Sequence, residues 1–190
     1  EASWVFPNDM QLASRGYKAE TRTISFGPTT IGGQTNHTVL IGGPCSVESE
    51  EQIESAAHLL KSLGLNTLRG GAYKPRTSPY SFQGLGIEGL HLLSKMRNEY
   101  GLKIISEVRD ATQVEDIIEH TDIIQIGAKA MYDQGILRAC AKTQKPVMIK
   151  RGFGTSLQEF TQAAEFILSG GNPNVILCER GIRTFETKTR

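Results

Sequence analysis

Six cations, Arg69, Lys74, Arg76, Lys129, Lys150 and Arg180, are the side chains best placed by type and spacing to do chemistry. Arg offers a planar fork that matches phosphate and carboxylate oxygens, and Lys a compact charge. So many cations in one cleft would repel one another without an anionic ligand, which points to small phosphorylated substrates. Glu107 occupies a comparable position, as does Glu179 beside Arg180. Cys45 closes the turn-forming run Gly42-Gly43-Pro44-Cys45, outside any apolar segment.

These residues converge only if the elements that carry them end at one place. From residue 38 onward, short apolar runs alternate with segments of helical period. The runs are Val39–Ile41, Asn66–Leu68, Lys103–Ile105, Ile123–Ile126, Pro146–Ile149 and Asn174–Leu177. Helices are expected near 49–63, 86–99, 111–119, 133–143 and 156–169. The first opens as a capping box, Ser49 with Gln52, and closes at Gly64. Strand, helix and strand joined by short loops require parallel strands with crossovers, an α/β class. Charged residues follow five of the six runs, namely Arg69, Glu107, Lys129, Lys150 and Glu179-Arg180. In a barrel these ends share one mouth, whereas an open sheet spreads them along an edge. The fold expected is therefore a TIM (β/α)8 barrel, with about six of its eight strand–helix units in this chain. Residues 1–37 form an N-terminal extension with a short hairpin at Thr23–Phe26 and Thr29–Ile31, and 38–190 the incomplete catalytic barrel.

The bulk properties narrow the function classes. The chain has 190 residues and a formal net charge of +1, which gives no general case for nucleic acid or an anionic membrane as partner. No stretch approaches the roughly 18 apolar residues of a membrane helix. The three cysteines, Cys45, Cys140 and Cys178, form no C-x-x-C pair, which favours a reducing, cytoplasmic setting over a disulfide framework. Cys140 and Cys178 read as core. His37, His58, His91 and His120 occupy no strand end and read as structural or solvated. The chain starts at Glu1 rather than Met, and it reads as a piece of a longer protein.

Five segments in order carry a family resemblance: Gly42–Ser49, Leu68–Gly84, Ile126–Ala128, Ile149–Gly152 and Leu177–Phe185. Together they resemble the 3-deoxy-arabino-heptulosonate-7-phosphate (DAHP) synthases, in the subgroup similar to sugar-acid phosphate synthases. The resemblance implies a transferase of the shikimate pathway of aromatic amino-acid biosynthesis. It would condense phosphoenolpyruvate with erythrose 4-phosphate in an aldol-type step, releasing phosphate. It implies a divalent metal ion (manganese or similar) that polarises the aldehyde, with Cys45 as a metal ligand. Arg69, Lys150 and Arg180 resemble the family's phosphoenolpyruvate-binding cations, and Lys74 sits where the two substrates meet. Arg76 and Thr77 resemble the grip on the erythrose 4-phosphate phosphate. The backbone at Gly127-Ala128 faces the phosphoenolpyruvate phosphate. Lys74, Lys150 and Glu107 are the expected catalytic residues, Glu107 as a group orienting cations or water. Pro75 is expected to stiffen the loop between Lys74 and Arg76. The resemblance also implies a homo-oligomer.

Two departures stand out. Lys129 replaces an Arg usual in the family, so the phosphate grip there is expected to be weaker or compensated by a neighbour. The family's His, Glu and Asp metal ligands lie in motifs absent from these 190 residues. Two alternatives follow: a non-catalytic or truncated homologue that binds phosphorylated metabolites, and a 3-deoxy-manno-octulosonate-8-phosphate synthase. The second is disfavoured because that family lacks the Lys-Pro-Arg-Thr-Ser run found at 74–78.

Overall fold

Short Ile- and Val-rich runs between amphipathic helices pair side by side, since only a parallel sheet covered on its faces buries them fully. The computed structural model describes residues 7–74, 76–186 and 188. A hairpin, β1 (Thr23–Phe26) and β2 (Thr29–Gly32), comes first. It is followed by α1 (Glu50–Ser62), β3 (Thr67–Arg69), α2 (Ile87–Tyr100) and β4 (Lys103–Val108). A single 3₁₀ turn, Ala111–Gln113, then leads into α3 (Val114–His120), β5 (Ile123–Ile126) and α4 (Gln134–Ala141). The last elements are β6 (Val147–Lys150), α5 (Leu157–Ser169) and β7 (Val175–Cys178).

The main sheet has five strands in the order β3-β4-β5-β6-β7, all parallel. A doubly wound sheet reverses strand order at its switch point. This order runs on without reversal, as it does in a TIM barrel. The run Val39–Ile41, expected as a sixth strand, is not one. Only Gly42 reaches the sheet, bridging Leu68, with its N–H donated to Thr67 and its carbonyl accepting from Arg69. Gly43 has φ +128° and its backbone passes so close to Arg69 that an added Cβ would lie 2.1 Å from the Arg69 carbonyl oxygen. The chain therefore turns away before a ladder can form, and Leu40 stays 58 % exposed.

Alternation along the strands divides the apolar residues between two cores. Leu68, Ile104, Ile124, Ile126, Val147 and Ile149 face the helices, packed with Leu90, Leu93, Met96, Ile117, Ile136 and Ile167. Ile105, Ile123 and Met148 point to the other face, where they meet Phe26 and Ile31 of the hairpin, with Ile176 and Cys178. Cys140 lies within the helix-side core, as the sequence suggests, and burial pushes its thiol up to about 12. Cys178 is only half-buried, at the end of an edge strand.

Helix ends follow local chemistry. At Ser49 the hydroxyl accepts from Gln52 N–H at 3.2 Å, but the Gln52 side chain accepts from Glu48 N–H instead of closing a reciprocal box. The complete capping box is at α5, where Ser156 and Glu159 exchange side-chain and backbone bonds. Gly64, at φ +70°, ends α1 with Leu65 N–H bonded to the Leu60 carbonyl. Ser156→Ala removes one leg of the α5 cap and is expected to lower unfolding stability by about 1 kcal/mol. Urea denaturation followed by circular dichroism measures this, and an unchanged midpoint would contradict the cap.

Candidate active site

On the inner face of the sheet, Thr67 and Lys103 stand at the N-terminal ends of β3 and β4, and a second set of polar residues gathers at the C-terminal ends of β3 to β6. Two residues beyond Ile105 on β4 stands Glu107, and two beyond Ile123 on β5 stands Gln125. Two beyond Met148 on β6 stands Lys150, while Arg69 ends β3 beside inward-facing Ile105. Glu107 and Gln125 are register partners. With Pro44, Cys45, Gly70, Gly71, Lys74, Ile105 and Ser106, these four line a small open cleft.

Hydrogen bonds fix the polar groups against one another. The Gln125 amide donates to Glu107 Oε2 at 2.5 Å, and Lys150 Nζ lies 3.4 Å from the same oxygen. Gly127 makes room for this carboxylate, because a Cβ there would fall 2.3 Å from Glu107 Oε1. Lys74 is only 8 % exposed, unusual for a lysine. Its ammonium donates to the Cys45 carbonyl at 2.8 Å and to Cys45 Sγ at 3.2 Å. That bond holds the Cys45 thiol below the ordinary thiol range; partial burial opposes it, and the charges of Lys74, Arg69 and Arg76 add to it. Three cations in the lining thus face one carboxylate and one acidified thiol.

Of the residues singled out from sequence, Cys45, Arg69, Lys74, Glu107 and Lys150 meet in this cleft. Gly127 abuts it through Glu107. Arg76, Thr77, Ala128, Lys129 and Arg180 do not line it. Arg76 and Thr77 lie exposed on the loop after β3, with Arg76 Nε donating to the Phe82 carbonyl at 3.2 Å. Pro75, expected to stiffen that loop, lies outside the described residues. Ala128 and the exposed Lys129 follow β5. Arg180 follows β7 and stacks over Phe153.

Gln125 and Arg151 were not found by sequence reasoning. A polar residue in phase with the inward Ile123 was the available signal for Gln125. Arg151 donates from Nε to the Thr155 carbonyl at 2.8 Å and pairs with Glu179 at 2.5 Å. The Glu179 carboxyl is held below the usual carboxylate range, chiefly by the Arg180 N–H and then by Arg151. The histidines stay away from the cleft: His91 and His120 stack edge to face on the helical layer, 5.1 Å between centroids.

The divalent metal implied by the resemblance was tested against the residues themselves. The cleft offers Cys45 as one candidate ligand, and the described residues include no group of three His, Cys, Asp or Glu able to share an ion. A divalent metal centre normally takes three or more protein ligands. The described residues therefore do not make a complete metal centre. No helix among them is long and apolar enough to cross a membrane.

Because Lys74 favours the thiolate, Cys45 is expected to react with iodoacetamide first, with its rate–pH curve displaced to lower pH than that of an ordinary thiol. Cys140 is expected to stay unmodified until the protein unfolds. Lys74→Met should slow Cys45 and move its curve upward, which peptide mass spectrometry would resolve. Equal rates at Cys45 and Cys140 would contradict the geometry.

Comparison with known proteins places this arrangement. Residues 16–190 match the model of the DAHP synthetase I family. The chain is similar to the phospho-2-dehydro-3-deoxyheptonate aldolase of Thermotoga maritima, 46 % identical over 180 residues, covering 95 % of this chain and 53 % of that protein. A crystal structure of DAHP synthase from Thermotoga maritima superposes with a TM-score of 0.86 at 44 % identity, covering 95 % of this chain and 51 % of that one. The 2-dehydro-3-deoxyphosphooctonate aldolase of Pisum sativum is 38 % identical over 149 residues, covering 75 % of this chain and 51 % of that protein. The chain spans about half the length of these curated relatives. It belongs to the DAHP synthetase I family.

Proposed function

We propose that this chain carries the phosphoenolpyruvate-binding part of a DAHP synthase active site. The observation that carries the reading is the convergence of Arg69, Lys74 and Lys150 with Glu107 in one cleft at the strand ends. Phosphoenolpyruvate brings a carboxylate and a phosphate, and this excess of positive charge suits both.

In this reading Arg69 and Lys150 hold the phosphoenolpyruvate oxygens. Glu107 and Gln125 keep Lys150 in place, since the Glu107 carboxylate is shared by both side chains. Lys74, buried against Cys45, stands where the aldehyde would approach. Arg76 and Thr77, on the exposed loop after β3, would take the phosphate of erythrose 4-phosphate. The reaction joins the enol carbon of phosphoenolpyruvate to the aldehyde carbon. Water adds at the carbon bearing the phosphoryl oxygen, and inorganic phosphate leaves. The greater identity to the heptonate enzyme than to the octonate enzymes supports erythrose 4-phosphate over arabinose 5-phosphate as the aldehyde.

A second reading, phosphoenolpyruvate binding without turnover, is favoured by one observation: the described residues bring no group of three His, Cys, Asp or Glu together that could share a metal ion.

Phosphate release from phosphoenolpyruvate with erythrose 4-phosphate and added manganese tests the two. Release that falls at least about tenfold when arabinose 5-phosphate replaces erythrose 4-phosphate is expected of the synthase. The reverse preference would assign the octulosonate chemistry. Release with neither aldehyde, alongside retained phosphoenolpyruvate binding, would favour the non-catalytic reading.

A further inference from the structure

Arg180 stands just beyond β7 yet does not line the cleft. Its guanidinium lies over the ring of Phe153, 4.1 Å from the centroid. Phe153 belongs to the loop between β6 and α5, directly after Lys150, so it links a residue of the cleft to a cation of the neighbouring strand.

That loop is held from several directions. Arg151 N–H donates to the Cys178 carbonyl at 3.0 Å, which extends the β6–β7 ladder past Lys150. Gly152 N–H donates to Met131 Sδ at 3.3 Å. The hydroxyls of Tyr132 and the buried Thr155 are 2.7 Å apart, which ties the loop to the one after β5. Arg151 Nε reaches back to the Thr155 carbonyl at 2.8 Å. The Glu179 carboxylate then joins Arg151, at 2.5 Å, to the Arg180 backbone N–H, at 2.8 Å. Backbone and side chain of Arg180 thus both rest on the same loop.

We propose that Phe153 is a positioning residue for Arg180. Its ring is a platform that fixes the guanidinium beyond the end of β7, the strand next to the one that carries Lys150, ready for an anionic substrate. An arginine free in solvent loses rotamer freedom when it binds an anion, and one already stacked loses less. A ring face attracts a guanidinium without using any of its N–H donors, so all five remain for oxygen ligands. The proposal rests on the reading of the cleft as a phosphoenolpyruvate site.

The test is phosphoenolpyruvate titration, by isothermal calorimetry, of the full chain and its Phe153→Leu and Phe153→Tyr variants. Alongside it, the Arg180 Nε–Hε resonance is followed by NMR. The ring should shift that resonance upfield in the wild-type chain and in Phe153→Tyr, and the shift should vanish in Phe153→Leu. Phe153→Leu should weaken binding about fivefold, and Phe153→Tyr should restore it to within about twofold. Unchanged or tighter binding by Phe153→Leu would overturn the proposal, the latter because the ring would then be holding Arg180 away from its ligand. Equal weakening in both variants would overturn it too, because the aromatic face would not be what matters. An absence of wild-type binding would sink the phosphoenolpyruvate reading itself. The Arg180 resonance would still report on the platform in that case, and an unshifted wild-type signal would overturn it.

Discussion

The site depends on strand register. In a parallel sheet successive side chains alternate between faces, so sliding one strand by a single residue turns all its side chains over. Here Glu107, Gln125 and Lys150 each stand two residues beyond an inward apolar residue, and Arg69 ends its strand in phase with them. The same alternation that buries Ile104, Ile124 and Ile149 against the helices turns these polar groups to the opposite face. A slip of β5 would put Gln125 into the apolar helix layer and leave Glu107 without its amide donor. Packing energy on one face therefore enforces chemical geometry on the other.

Within that frame the cleft is organised by two contacts between unlike groups. Glu107 draws Lys150 and Gln125 together, and a partly buried carboxylate left without such partners would be costly. Lys74, a nearly buried lysine of the lining, sets its ammonium on the Cys45 thiol and carbonyl. Glycine at 127 is what lets the Glu107 carboxylate approach β5, since any Cβ would occupy its place. The surplus of cations over anions leaves the cleft unbalanced unless a ligand carries negative charge. An anionic ligand would restore that balance, in keeping with the proposed phosphoenolpyruvate site.

Much of this was legible in the sequence, for physical reasons. The alternation of short apolar runs with helical segments follows from burying both faces of a parallel sheet, and five of the six expected runs are strands of the main sheet. Charged residues closing those runs pointed to Arg69, Glu107 and Lys150. The first run, Val39–Ile41, misled because apolar character alone does not make a strand: Gly42-Gly43-Pro44 turns the chain after one bridge. Gln125 was hidden inside an apolar run, where only its phase relative to Ile123 distinguishes it. The loops after β5, β6 and β7 were the least legible part. The distances from Arg180 to Phe153 and from Tyr132 to Thr155 arise from three loops meeting, and no local pattern encodes such a meeting.

The central claim is that the cations of the cleft hold phosphoenolpyruvate, and titration of that compound into the chain tests it most directly. Arg69→Met and Lys150→Met are compared with Lys95→Met, which alters an exposed cation on α2 paired with Glu50 and Glu99. The account predicts saturable one-to-one binding that weakens with salt. It also predicts losses of about tenfold or more in the two cleft variants, as expected when a charge-assisted bond is removed, and none at Lys95. Binding that is absent, or equally strong in all four proteins, would contradict it.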